Sequence, residues 1–430
     1  MNRQLAKSVV AAFRDDGSSP RARLIQFSER DWMRAEDWLH CSGMALYLLD
    51  LLKSHGSNDA IPSSLMCRLE QKHAENRERT ADLFREFVEI NLAFQRAGLT
   101  YANLKGFTLA PRSYPDPTLR YQHDLDFLVS RPDAERCRQL VEKHGYALTA
   151  VVGDTWEFQA GRNQVSGLND LYKRKGRRSI DVHILPRKEE QDSRRLGDRL
   201  SRLQLIVWNG FEFPALSECD MFLAQARHIL QHLQSEWMRT SWILEFARTI
   251  RSHQEEAAFW PECVAAMAAM PQTDVAVATA TLLASRLFGV VPPAALADCA
   301  ENDPPAQVRR WIDLYLDTIL YADFPGTKLY LLLKGALKAD DPTWRSEKRN
   351  RLLPLCLPPR IVSVAPGDGL SVRLRASLAQ LRFTWTRVLF HIKEGVRYRI
   401  ELTRWKRYGV TSSTEIGSHW RPQQAGKSGV

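Results

Sequence analysis

Cysteine is sparse and badly placed for cross-linking. Cys41, Cys67, Cys137, Cys219, Cys263, Cys299 and Cys356 stand singly, in odd number and without a Cys-x-x-Cys pair. That argues against a disulfide framework or a zinc ribbon and fits a reducing compartment. Long apolar runs are also lacking. Val275 to Val291 is the best of them, but it is Ala-rich, carries Arg286 and reads as a buried helix; no segment reaches the ~18 uncharged apolar residues of a membrane span. Near the start, Val9 to Phe13 is apolar but stops at Arg14-Asp15-Asp16, too short for a signal peptide. The cytoplasm is therefore the expected compartment. No repeat of fixed period is present.

What is there is ordinary for a soluble globular chain: 430 residues, 44% hydrophobic and 26% charged, enough for two or three domains. The charge is unusual in its distribution. Of the net +10, all comes from the end: residues 341–430 hold 17 Lys/Arg against 6 Asp/Glu, whereas the first 340 are almost neutral. Such a tail can meet phosphate, an anionic membrane face or nucleic acid, or simply be a solvated surface.

Periodicity divides the chain. Residues 1 to about 30 are polar, with a Gly17-Ser18-Ser19-Pro20 breaker. From Glu29 to Ala97 the spacing is helical, and Gly98 is placed to end the last helix. Leu99 to Leu104 alternates as a strand, and Asp124 to Val129 is a short strand with an apolar end. A helix follows from Arg131-Pro132-Asp133 to His144, stopped by Gly145. Ser179 to Ile184 is another strand, Leu205 to Phe213 a strand pair around the hairpin dipeptide Asn209-Gly210, and 187–204 is charged and helical or loose. Helical patterns resume over 218–287 and 308–337. The expected plan is α/β (α+β): a helical N-terminal region (1–97), a mixed α/β core (98–215), a helical domain (216–340) and a basic C-terminal region (341–430), disordered from Ser412.

The chemistry is concentrated in the core. In Asp124-Leu125-Asp126, alternate residues of a strand share a face, so two carboxylates sit about 7 Å apart along the chain. Asp181, between Ile180 and Val182, offers a third acid from a second strand. Hard oxygen donors of this kind suit Mg²⁺, which completes its shell with water and substrate phosphate; solvated or capping carboxylates are the plainer explanation of any one pair. Leu104-Lys105-Gly106 precedes them. Gly lets backbone approach a phosphate and Lys supplies a point charge, while Arg120 is suited to bidentate phosphate contact; both cations are equally explained as balancing the acids.

Taken in order, Leu104-Lys105-Gly106, Tyr114-Pro115-Asp116-Pro117, Arg120, Asp124-Leu125-Asp126-Phe127-Leu128-Val129, Gly145-Tyr146 and Ile180-Asp181-Val182-His183, then His228, His232, Arg239 and Trp242, resemble the bacterial family of uncharacterised nucleotidyltransferases over about 85–250. The resemblance implies a polymerase-beta-type nucleotidyltransferase core with a small mixed sheet, flanked by helical regions. It makes Asp124, Asp126 and Asp181 the catalytic metal ligands, for two Mg²⁺ ions with Mn²⁺ as the alternative. Lys105, Gly106 and Arg120 remain the candidate nucleotide-binding residues on their own chemistry, joined by His183, which shares the strand and face of Asp181 and either contacts substrate or simply packs. The Gly-Ser element usual in the wider superfamily is replaced by Lys105-Gly106, and the interval to Asp124 is longer; the smaller family shares both features. The implied activity is two-metal transfer of an NMP from an NTP to an acceptor left unidentified: small molecule, sugar, peptide or protein. The competing readings are a silent RNA- or membrane-binding module on the same fold and a toxin-like enzyme modifying tRNA ends, with the basic tail as its handle.

Three further features stand out. His228 and His232, four apart on a helix, have a metal-binding spacing but no third ligand nearby, which favours packing. Leu333-Lys334-Gly335 echoes the first such triplet without a following Asp-x-Asp strand. Leu374, Leu378, Leu381, Trp385, Val388, Leu389 and Ile392 line one helix face with arginines elsewhere; packing onto the protein itself is the expectation, with a membrane surface or nucleic acid as the alternative.

Overall fold

The structure, a computed structural model, describes residues 2–161, 171–173, 178–185, 199–270, 272–298, 304–322, 325–338, 341–354, 357–358, 361 and 369–411. The tail from Ser412 and most of the charged stretch after 186 lie outside the described residues.

Residues 1–30 depart from their polar appearance by forming two helices, α1 (Arg3–Ala11) and α2 (Pro20–Leu24). The Asn2 side chain caps α1, Ser19 caps α2 with Pro20 in its first turn, and both devices satisfy amides that a helix start leaves unpaired. Only one stripe of α1 is apolar, and it is buried: Leu5, Ala6, Val9 and Val10. Next come α3 (Glu29–Cys41), opened by a Ser28–Asp31 capping box, α4 (Ala45–Ser54) and α5 (Ser63–Arg96). The last is 34 residues, about 50 Å of helix, and the chain leaves it through Gly98 at φ +64°.

Seven strands follow: β1 (Tyr101–Leu104), β2 (Asp124–Val129), β3 (Ala147–Val152), β4 (Thr155–Ala160), β5 (Arg178–Ile184), β6 (Leu203–Trp208) and β7 (Phe211–Leu216). They form one sheet in the order β3-β4-β5-β2-β1-β7-β6. The β2–β5 and β1–β7 pairs are parallel and the other four antiparallel, so the fold is α/β with a mixed sheet. The expected Asn209-Gly210 turn joins β6 to β7, with φ of +47° and +76° at its two residues, the left-handed pair a two-residue hairpin requires. The β3–β4 hairpin has no counterpart in the sequence reading. Its outer strand is exposed at four of six positions, so it carries almost no apolar alternation.

Alternation elsewhere decides which way each side chain points. Leu125, Phe127 and Val129 of β2 and Ile180, Val182 and Ile184 of β5 pack on Phe87, Ile90 and Phe94 of α5 and on α6 (Ala134–Lys143). The residues between them, Asp124 and Asp126 and then Asp181 and His183, are thereby turned to the opposite face. On the far side of β7 come α7 (Glu218–Leu233), α8 (Thr240–Ser252), α9 (Phe259–Ala269) and α10 (Thr273–Phe288). Ser217 caps α7, and α7 packs on β7, α8, α9 and α10. After α11 (Ala294–Asp298), α12 (Ala306–Leu320), α13 (Tyr330–Leu337) and α14 (Trp344–Leu352), the described chain ends in the 42-residue α15 (Leu370–Thr411). Lys334 and Gly335 lie inside α13, where Lys334 pairs with Glu347 and Gly335 packs on Trp344. No helix among the described residues is long and apolar enough to cross a membrane.

Candidate active site

The β2–β5 register sets Asp126 beside Asp181, Asp124 beside Ser179 and Leu128 beside His183. Because neighbours in a parallel pair project to the same side, this arrangement gathers two acids from β2 and an acid and a histidine from β5 on one face. The ligand atoms of Asp126, Asp181 and His183 all lie within 4.8 Å of one another. Asp124 stands one strand repeat further along the same face.

The electrostatics record the crowding. Burial and the charges of Asp124 and Asp126 push the Asp181 carboxyl up to about 7. Asp124 is raised too, by burial and by Asp126. Asp126, only 5% exposed, behaves oppositely. Burial works against its charge, but Lys105 and a hydrogen bond from His183 outweigh that and hold it below the ordinary carboxyl range. Lys105 Nζ is 2.7 Å from Asp126 Oδ1, and His183 Nε2 is 3.2 Å from the same oxygen. An ionised carboxylate only accepts, so Nε2 carries a proton and donates; Nδ1 is hydrogen-bonded with Thr155 Oγ1 at 3.0 Å. Burial opposes the charge of Lys105, but Asp126 and Asp124 together raise it above its usual value.

Lys105 and Gly106 are held in a strained turn between β1 and a short 3₁₀ segment. Lys105 has φ +52° and ψ −157°, a region that a residue bearing Cβ enters only when its surroundings force it. Its carbonyl accepts from Thr108 N at 3.0 Å and Thr108 Oγ1 at 2.8 Å. The Gly106 carbonyl accepts from Tyr114 Oη, which ties the Tyr-Pro-Asp-Pro motif to the turn. A Cβ at Gly106, itself at φ +48°, would collide with the Gln122 amide, and that amide donates to the Asp124 carbonyl at 3.0 Å. The glycine is required by both conformation and space.

Arg120 is partly buried, its side chain 13% exposed, and its Nε lies 3.2–3.3 Å from the two carboxylate oxygens of Glu245 on α8, whose Oε1 also accepts from Tyr47 Oη at 3.0 Å. Burial disfavours the guanidinium charge, but Glu245 more than restores it, and the pKa is raised. Arg120, Lys105, Gln225, His228, Trp242 and Glu245 line one cavity together with apolar side chains of β1, β7 and α7.

His228 and His232 pack as rings against Trp242, with centroids at 4.6 and 4.3 Å, and against each other at 4.3 Å. Burial and Lys105 depress both; His232 falls to about 4. They are neutral packing partners, His228 at the cavity wall, and among the described residues neither joins a group of three metal-ligating side chains. One other such group, Glu218, His253 and Glu256, has Arg112 inserted at 3.1 and 2.8 Å from its carboxylates, which balances its charge internally.

Glu245, Thr155, Gln122 and Tyr47 carry no local signal, and only the fold brings them to the site. Tyr114 and Trp242 lie within motifs the sequence does display.

The sheet thus gathers an acid pair and an acid-x-His strand on one face, with a lysine at the preceding turn. The chain belongs to the family described as uncharacterised nucleotidyltransferase, which matches residues 28–289. Among solved structures it is similar to an antigenic nucleotidyltransferase-like protein from Paracoccidioides brasiliensis, at 12% identity and a TM-score of 0.27, over 44% of this chain and 89% of that one. No curated protein matches.

Proposed function

We propose that this protein transfers an NMP from an NTP, ATP being one candidate, to an acceptor hydroxyl, with Asp124, Asp126 and Asp181 holding divalent metal. The observation that carries this is the parallel register of Asp126 with Asp181: it brings hard oxygen donors from two strands into contact distance. Two carboxyls with raised pKa on one partly buried face leave negative charge that a divalent cation would relieve, so the donor set fits Mg²⁺, or Mn²⁺ with His183 as a nitrogen donor. Bound there, such ions would neutralise the triphosphate and lower the pKa of an acceptor hydroxyl.

The chain's own residues orient and hold. Lys105, whose ammonium lies 2.7 Å from Asp126, would supply a positive charge to the phosphates of a nucleotide held beside the acids. The strained turn at Lys105 and Gly106 presents backbone at close range to the triphosphate. His183, bonded to Thr155, keeps Asp126 in a fixed orientation. Arg120, oriented by Glu245, which Tyr47 in turn holds, places a guanidinium on the wall of the adjacent cavity, where nucleotide would dock. Asp181, on the neighbouring strand and facing the same side, stands where the acceptor hydroxyl would be held.

The test is pyrophosphate release from each labelled NTP with Mg²⁺, with and without RNA, by the wild type and by Asp126→Asn. Loss of release in a folded Asp126→Asn protein supports the assignment; release at near wild-type rate removes it. Release only with RNA points to modification of tRNA ends. Tight RNA binding without turnover in the wild type points to a silent binding module. The cytoplasmic setting belongs to the same proposal.

A further inference from the structure

The long C-terminal helix α15 turns its apolar stripe outward. Leu374, Leu378, Leu381, Trp385, Val388 and Ile392 recur at intervals of four and three residues, which places them on one side over about 27 Å of helix. Their exposures run from 42% to 66%. The helix is nonetheless anchored, by its opposite side. Ala376, Phe390, Glu394 and Tyr398 are buried, Glu394 accepts from Thr327 Oγ1 at 2.5 Å, and Arg387 meets Glu236 at 2.9 Å. The expectation that the leucine stripe packs on the protein is thus overturned. A buried polar and aromatic side does the packing, and the described residues leave the stripe uncovered.

The charge around the stripe is of one sign. From Leu370 to Lys393 there are five basic residues and no Asp or Glu. Arg375, Arg382 and Lys393 are exposed and follow one border of the stripe at helical spacing. We propose that α15 is a docking surface for an anionic lipid bilayer, lying in the headgroup plane with the stripe in the acyl boundary and the basic border on lipid phosphates. Trp385, central and exposed, suits the interface. Other occupants fit less well. A second copy would join two seams bordered by arginine with no acid to pair them, and a nucleic acid would engage the arginines while leaving the apolar stripe in water. The inference is independent of the transferase reading.

Flotation of the full chain with phosphatidylcholine vesicles, plain or about one-third phosphatidylserine, tests it. The anionic vesicles should carry at least about tenfold more protein, since each basic side chain at such a surface is worth roughly fivefold. Leu378→Asp/Leu381→Asp and Arg375→Glu/Arg382→Glu alter only exposed positions, and circular dichroism checks their folding. Each should abolish the gain. The proposal fails if the wild type floats with neither vesicle or equally with both, or if either folded double variant floats like the wild type. It also fails if light scattering finds a vesicle-free dimer that Leu378→Asp/Leu381→Asp dissociates.

Discussion

Replacing Asp181 with Asn should stabilise the metal-free protein while removing its response to magnesium. Asp181 is raised from an ordinary 3.8 to about 7 because its charge must form beside Asp124 and Asp126 in a partly buried setting. For a fully buried group that difference corresponds to roughly 4 kcal/mol of folded-state penalty. Asp181 keeps partial access to water, so the figure is discounted to about 1–2 kcal/mol. The sign follows from linkage. Below pH 3.8 the carboxyl is protonated folded and unfolded, and there is no penalty. Between 3.8 and 7 the unfolded chain ionises first and stability drains away, and above 7 the loss is complete. Asn cannot ionise, so in EDTA Asp181→Asn should match the wild type near pH 4. At pH 8 it should exceed it by about 1–2 kcal/mol, a rise of a few degrees in Tm. Adding Mg²⁺ should stabilise the wild type at pH 8 and leave the variant unmoved. Thermal melts at both pH values, with EDTA or Mg²⁺, read all four states. A variant no more stable than the wild type at pH 8, or an advantage equally large at pH 4, would refute the crowding argument.

Other expectations concern the supporting residues. Lys105→Met strands the Asp126 carboxylate without its cation and should cost about 3 kcal/mol in urea unfolding at neutral pH; the deficit should shrink as acid protonates Asp126. Gly106→Ala places a methyl group against the Gln122 amide at positive φ, and a loss of about 2 kcal/mol or more, with a fall in NTP affinity measured by calorimetry, is expected. Thr155→Val removes the hydrogen bond that orients His183 and should weaken Mg²⁺ binding by about tenfold while leaving Tm nearly unchanged.

The acid-bearing strands were legible because half their residues face a helix and half face the site, so polar and apolar positions alternate strictly in Ser179 to Ile184. The β6–β7 turn was legible because Asn-Gly is suited to two left-handed residues in succession. The β3–β4 hairpin was not, since an outer strand wet on both sides has no apolar period to display. Helix α1 was hidden for a related reason: one narrow stripe is buried in a segment otherwise polar. At the site, the motif residues could be named in advance, but Glu245 and Thr155 could not. Their partners, Arg120 and His183, lie 125 and 28 residues away, and no local pattern encodes such meetings. The leucine stripe of α15 is legible as one face in the spacing of Leu374 to Ile392, yet periodicity cannot tell which way a helix turns.

Asn103 sits on β1, 1% exposed. Its side-chain amide donates to Asn91 Oδ1 at 2.7 Å on α5 and to the Pro214 carbonyl at 2.8 Å on β7. Proline offers no N–H to the neighbouring strand, and β1 and β7 register at a single pair, Asn103 with Ala215. Backbone pairing is therefore narrow at this junction, which is held by Asn103 and by Phe213 packed on Phe87 at 4.8 Å, and β6 and β7 form the outer leaf of the sheet. In hydrogen exchange that leaf should open as its own cooperative unit, ahead of β2 and β5, so a chain that has lost its outer hairpin would still keep its aspartates together.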